Sequence, residues 1–139
     1  MSVKTVCFSF LAGSLWAVAH PVWAGVPDDV RKDFAHAVYS GSPELIHHHN
    51  PQPLLRAVIV LNVKLDDGGR WLAEVVRTND EQPEMLARAI ETVRRAPPIV
   101  VADDVRSELR RNGFMEAWLF DSDGSFQVKT LAKAQRMGQ

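Results

Sequence analysis

Cysteine is almost missing: the one thiol, Cys7, falls in the apolar N-terminal run, so residues 25–139 have no disulfide and no thiol chemistry. Excess charge of either sign is missing too. Sixteen Lys and Arg stand against 17 Asp and Glu, interspersed, and the loss of Lys4 with an N-terminal leader would move the formal charge from −1 to about −2. With no basic face, a nucleic-acid partner is not expected. There is no Gly-x-Ser-x-Gly, no His-Glu-x-x-His and no phosphate-binding loop, and the hydroxyl and carboxylate residues fall at helix starts and turns. Enzyme activity is therefore not expected, nor is a cofactor.

A long hydrophobic run is the last thing lacking. The stretch from Thr5 to Ala19 is about 15 residues, short of the roughly 18 to 20 that span a bilayer. It follows Lys4 and leads through His20-Pro21 to Val22-Trp23-Ala24. A basic start, a short apolar centre and a small-residue end predict an export signal, residues 1–24, cleaved after Ala24, which implies the periplasm and no membrane span thereafter. An uncleaved anchor is the rival reading. Residues 25–53 then carry a helix and a proline-containing lead-in, residues 54–132 one small domain, and residues 133–139 a polar tail.

The richest stretch is Leu55 to Thr78. Two alternating, β-branched runs flank Asp66-Asp67-Gly68-Gly69-Arg70, which predicts a β-hairpin with glycine at the left-handed turn position. A three-residue loop, Asp67-Gly68-Gly69, sets Leu65 opposite Trp71, Val63 opposite Ala73 and Leu61 opposite Val75, all apolar and all on one face. The tail repeats the pattern: Phe114 to Phe120, a turn at Asp121-Ser122-Asp123-Gly124, and a strand from Ser125 to Leu131. The shared turn predicts Phe120 opposite Phe126 and Trp118 opposite Val128. A four-residue loop would instead pair Trp118 with Gln127.

Helical spacing fills the intervals. Val30, Phe34, Ala37 and Val38 recur after Pro27-Asp28-Asp29 and stop at Ser40-Gly41-Ser42-Pro43, with a further short turn to follow before His49. Met85, Leu86, Ala89, Ile90 and Val93 form a stripe that ends at Ala96-Pro97-Pro98, with Asp80 or Gln82 as the cap. Asp103 to Asn112 makes a last helix, closed by Gly113 and facing inward through Val105 and Leu109. The result is an α+β fold: an antiparallel sheet of two hairpins in the order ββααββ behind an N-terminal helix. Val58, Val60 and Val76 point away from Leu61 and Trp71, and the Val30/Phe34/Val38 helix is the expected cover for them.

Val58 to Arg70, Val75 to Thr78 and Ala89 to Pro98, with the lead-in Asn50-Pro51-Gln52-Pro53-Leu54-Leu55, together resemble the C-terminal domain of the TonB/TolA class over residues 50 to 132. The resemblance implies a TonB-C-like periplasmic module that binds a protein or peptide strand of the cell envelope, such as an outer-membrane transporter, by adding it to a sheet edge. Energy-transducing relatives keep a membrane anchor with a Ser/His pair four residues apart and a long proline-rich stalk. Here Trp16 stands four before His20, and about 30 residues, partly helical, join Ala24 to the first strand. An accessory to envelope transport is the role implied.

The edge expected to receive the guest is the main chain of Phe114 to Phe120 or Phe126 to Thr130. Phe114, Glu116, Trp118, Phe120, Gln127 and Lys129 are the partner-binding candidates. An edge-paired homodimer is the other partner the pattern allows. A metal-handling protein built on His36 and His47-His48-His49 is the alternative function, although consecutive histidines cannot share one face and only Glu44 is near. The twelfth position after Asp121 is Ala132, not Glu, which disfavours a calcium loop.

Overall fold

The computed structural model describes residues 25–133; the expected export signal and the tail beyond Lys133 lie outside the described residues. In chain order come α1 (Asp28–Gly41), a 3-10 turn (Pro43–Leu45), β1 (Ala57–Leu65), β2 (Trp71–Arg77), α2 (Pro83–Arg95), α3 (Asp103–Arg111), β3 (Phe114–Phe120), β4 (Phe126–Val128) and a second 3-10 turn (Lys129–Leu131). The fold is α+β, three helices on a four-stranded antiparallel sheet of order β2-β1-β3-β4. Among the described residues no helix is long and apolar enough to cross a membrane.

Both hairpins close in the expected register, with Leu65 opposite Trp71, Val63 opposite Ala73, Phe120 opposite Phe126 and Trp118 opposite Val128. Their turns are built alike. Gly69 at φ 79° donates its N–H to the Asp66 carbonyl at 3.1 Å, and Gly124 at φ 80° donates to the Asp121 carbonyl at 2.9 Å. Past Leu61 the first ladder slips by a residue, so that Arg77 rather than Val76 lies opposite Val60.

The odd residues of β1, Ala57 to Leu65, share one core with Met85, Ala89 and Val93 of α2 and Leu109 of α3. Phe34 brings α1 to this same face. Its ring meets Trp71, Phe114 and Trp118 edge-on, with centroids 4.7, 5.4 and 6.5 Å away. The expectation that α1 covers Val58 and Val60 is therefore corrected. Three aromatic rings offered Phe34 more contact than a pair of valines, and no described helix covers the second face of the sheet.

Two aromatic side chains carry polar atoms into the core, and both are paired. The Trp118 indole N–H donates to Thr92 Oγ1 at 2.9 Å, and that hydroxyl donates to the Ala89 carbonyl at 2.7 Å. Tyr39, the single tyrosine of the chain, accepts the Val128 N–H at 3.0 Å through its phenol oxygen. Burial pushes its pKa above the ordinary value of about 10, the Val128 N–H pulls it down, and the Glu116 carboxylate adds to the rise. A raised folded-state value favours the folded protein below the unfolded pKa, and that contribution is lost as pH rises through the folded one. Phenolate absorbance is expected to show one transition displaced to the alkaline side of about 10 and coupled to loss of structure. A transition at or below the free-tyrosine value would overturn the assignment.

Candidate functional site

The two outer edges of the sheet are built differently. Hydrogen-bonding residues alternate along an antiparallel ladder, and the Asp121 N–H donates to the Ser125 carbonyl at 2.9 Å, so Phe126 and Val128 turn their main chains away from β3. Both of these edge residues are engaged. The Phe126 carbonyl accepts the His47 N–H at 2.8 Å, where Ile46 makes a parallel bridge to Phe126, and the Val128 N–H is the one bonded to Tyr39. The Gln127 amide donates to the His47 carbonyl at 2.9 Å and to the His49 carbonyl, fastening the strap from Ile46 to His49 over β4.

Farther along the same side, beyond the end of β4, β3 is also screened. Glu116 Oε1 accepts the Ala117 N–H at 2.9 Å, the other carboxylate oxygen accepts the Thr130 hydroxyl, and Arg31 reaches the Met115 carbonyl at 3.5 Å. These contacts correct the expected site. Phe114, Trp118 and Phe120 are core side chains on an interior strand, and Glu116 and Gln127 are buried and spent on holding neighbouring segments. Lys129 lies past the last strand residue, in the Lys129–Leu131 turn, because β4 is three residues long rather than seven.

The β2 edge is the opposite case. The Asp66 N–H donates to the Arg70 carbonyl at 2.9 Å, so by the same alternation Leu72 and Glu74 face β1 while Trp71, Ala73 and Val75 turn their N–H and C=O groups outward. Among the described residues nothing bonds to those outward groups. The strand that carries them is exposed: Leu72 is 47 %, Val75 50 % and Val76 52 % accessible. Trp71 anchors its start, with the ring buried against Phe34 and the indole N–H donating to the Pro97 carbonyl at 3.2 Å.

A cavity of about 570 Å³ opens beside that start, between the β1–β2 turn and the end of α2, lined by Asp66, Arg70, Leu72, Arg94 and Pro98. Around the corner is the sheet face that no described helix covers. Val58, Val60 and Leu119 are half-buried there, Met115 is 61 % exposed, and the Lys64–Glu74 pair at 3.2 Å crosses its polar end. The sequence places Trp71, Ala73 and Val75 on the apolar face of the first hairpin and offers none of them as a partner-binding residue. The available signal was the Arg-Trp-Leu-Ala-Glu-Val-Val-Arg run, which alternates on one side only and thus reads as an edge strand.

The histidines do not converge. His47 Nδ1 lies 3.0 Å from Ser125 Oγ and 3.3 Å from Asp121 Oδ2, and the Asp121 side chain is 1 % exposed. The pairing of His47 with Asp121 has no local sequence signal. Serine and aspartate meet the same ring nitrogen, and the Ser125 hydroxyl donates to Asp123 Oδ1 at 2.5 Å, so no serine–base–carboxylate relay is formed. The Ser125 hydroxyl and N–H hold the exposed Asp123 carboxyl below the usual carboxylate range. Among the described residues no group of three or more His, Cys, Asp or Glu is placed to hold a metal ion; His36 lies on α1, and the His47 and His49 rings stand 5.8 Å apart.

No family model, no curated protein and no solved structure matches this chain.

Proposed function

We propose that this chain is a periplasmic protein-binding module of TonB-C-like fold that captures an extended segment of an envelope partner by β-strand addition, as an accessory to envelope transport. The receiving strand in this reading is β2, in place of β3 or β4. One observation carries it: the outward main-chain groups of Trp71, Ala73 and Val75 have no partner among the described residues, whereas the Phe126 carbonyl and the Val128 N–H are taken. An unpaired row of donors and acceptors beside exposed valines is what a guest strand satisfies, and a module that must stay soluble without its partner would close the edge it does not use. The export signal and the likeness of residues 50 to 132 to the TonB/TolA C-terminal class support the compartment and the partner class.

Proline separates the two sides of β2. In Ala73→Pro the lost N–H is an outward one, so the ladder to β1 survives; in Glu74→Pro the lost N–H is a ladder donor. Ala73→Pro is expected to keep the far-ultraviolet spectrum and most of the melting temperature while abolishing capture of a partner from periplasmic extract. Glu74→Pro is expected to lower the melting temperature sharply. Capture undiminished in folded Ala73→Pro would rule out β2 as the receiving edge.

A further inference from the structure

Two arginines bracket β2. Arg70 precedes the strand, Arg77 closes it, and both are exposed. Arg70 sits opposite Asp66 in the continuation of the ladder, and Arg77 sits opposite Val60. That pairing places both on the uncovered face of the sheet, on the same side as Leu72. Among the described residues neither guanidinium takes part in a hydrogen bond or an ion pair. Other cations nearby are occupied: Lys64 is paired with Glu74, Arg94 with Glu91 at 2.9 Å, and Arg110 reaches the Asp67 carbonyl at 3.3 Å.

The Asp66 carboxylate beside Arg70 is itself committed. Asp66 Oδ1 accepts the Arg70 main-chain N–H at 2.8 Å, which holds the turn and leaves the guanidinium free beside the cavity it shares with Arg94 and Leu72. Glu74, midway along the strand, is bound by Lys64 and lies 3.5 Å from the Asn62 amide nitrogen. The edge therefore presents two uncommitted cations with Leu72, Val75 and Val76 between them, and the one central anion is neutralised from within.

We infer that the occupant of the β2 edge is an extended peptide with an apolar centre and an acidic side chain at each end, its carboxylates paired with Arg70 and Arg77. This rests on the strand-addition reading and adds the partner's chemistry to it. A guest strand sets alternate side chains on the uncovered face, so one carboxylate falls opposite Arg70 and an apolar residue opposite Leu72. With Val76 as an extra residue in the slipped ladder, the second carboxylate falls six positions from the first. The arginine fork suits a carboxylate better than an ammonium would, and rim charges of this kind select among partners and speed their encounter.

The probe is a capped heptapeptide, Asp-Ser-Ile-Gln-Ile-Ser-Asp, which reads the same in both directions and thus fits either strand polarity. It is titrated into isotope-labelled protein beside the same peptide with asparagine, or with lysine, at both ends. Amide shifts are expected at Trp71, Ala73 and Val75. The aspartate peptide is expected to bind about tenfold more tightly than the asparagine one, with the gap closing as salt is raised, and the lysine peptide is expected to bind most weakly. Arg70→Ala with Arg77→Ala should erase the aspartate advantage while the asparagine peptide binds as before.

Equal binding of the aspartate and asparagine peptides at low salt would overturn the acidic preference while leaving strand addition standing. Absence of shifts at Trp71, Ala73 and Val75 with every peptide would overturn strand addition itself. A mass that doubles with concentration and a loss of peptide shifts in the doubled species would make a second copy of this chain the occupant, and the acidic peptide would fall.

Discussion

Phe34→Ala is expected to destabilise the protein by about 3 to 5 kcal/mol, a cost typical of truncating a fully buried phenylalanine. Its ring is inaccessible to solvent and is the point where α1 meets β2, β3 and the core between them. Three edge-on aromatic contacts add to the area term, each on the order of 1 kcal/mol, and a cavity among rigid rings relaxes poorly. Phe34→Leu, which keeps much of the volume, should lose less than half as much.

That variant also tests where α1 lies. Were α1 the cover for Val58 and Val60, Phe34→Ala would leave Trp71 and Trp118 undisturbed and Val60→Ala would be the costly change. With α1 on the aromatic face, Val60→Ala is expected to cost about 1 kcal/mol or less, since Val60 is only half-buried. Chemical denaturation followed by tryptophan emission reads both. A Phe34→Ala midpoint equal to that of the parent protein would refute the packing described here.

The consequence reaches the proposed receiving edge. Trp71 opens β2 and is fixed by Phe34 on one side and the Pro97 carbonyl on the other, so α1 sets the position of the strand proposed to take the guest. A guest strand binds tightly only to an edge already held in extended form, because ordering a loose one would consume the free energy of the new hydrogen bonds. On this view the aromatic cluster is preorganisation for the edge, and the loss of Phe34 should weaken peptide binding in a protein that is still folded.

Local features of the chain made much of this legible. Alternation with period two and a glycine at each turn set both hairpin registers, since a slip of one residue would have put Leu61 and Trp118 in water. The apolar stripe and the Pro97-Pro98 stop located α2. What failed was long-range. Val58 and Val60 make one end of the even face of β1 apolar as well, so nothing local said which face α1 would choose. That choice was settled by where Trp71, Phe114 and Trp118 gather.

The misplaced site has the same origin. Ile46 to His49 looks like the approach to a proline-rich lead-in, and nothing near it announces that His47 will bond to Phe126 and face Asp121. Residues 129–131 carry strand-forming types, yet Thr130 bonds to Glu116 and the chain turns there. An edge is a property of the assembled sheet. Sequence alternation identifies strands, but which strand ends up outermost and uncovered is decided by segments far away in the chain.

Gly113→Ala is the second large effect. Gly113 sits between α3 and β3 at φ 66°, a left-handed conformation that costs a side-chain-bearing residue about 1 to 2 kcal/mol. The neighbouring space is worse than the angle. A Cβ there would run into the Val63 carbonyl oxygen, 3.0 Å from its carbon and 2.6 Å from Lys64 Cγ, so β1 and β3 would have to separate. The two penalties together are expected to remove about 3 kcal/mol or more, roughly 10 to 20 °C in melting temperature for a domain of this size. Gly69→Ala supplies the comparison, because its φ of 79° is as demanding while nothing lies within 4 Å of the added carbon. It should cost only the conformational part, about 1 to 2 kcal/mol. Asparagine tolerates the left-handed region, so Gly69→Asn should recover most of the loss and Gly113→Asn should not. Equal losses at the two glycines, or full recovery in Gly113→Asn, would mean that α3 does not bring the chain against β1 as described, and β3 would then be free to shift relative to the strand that carries β2.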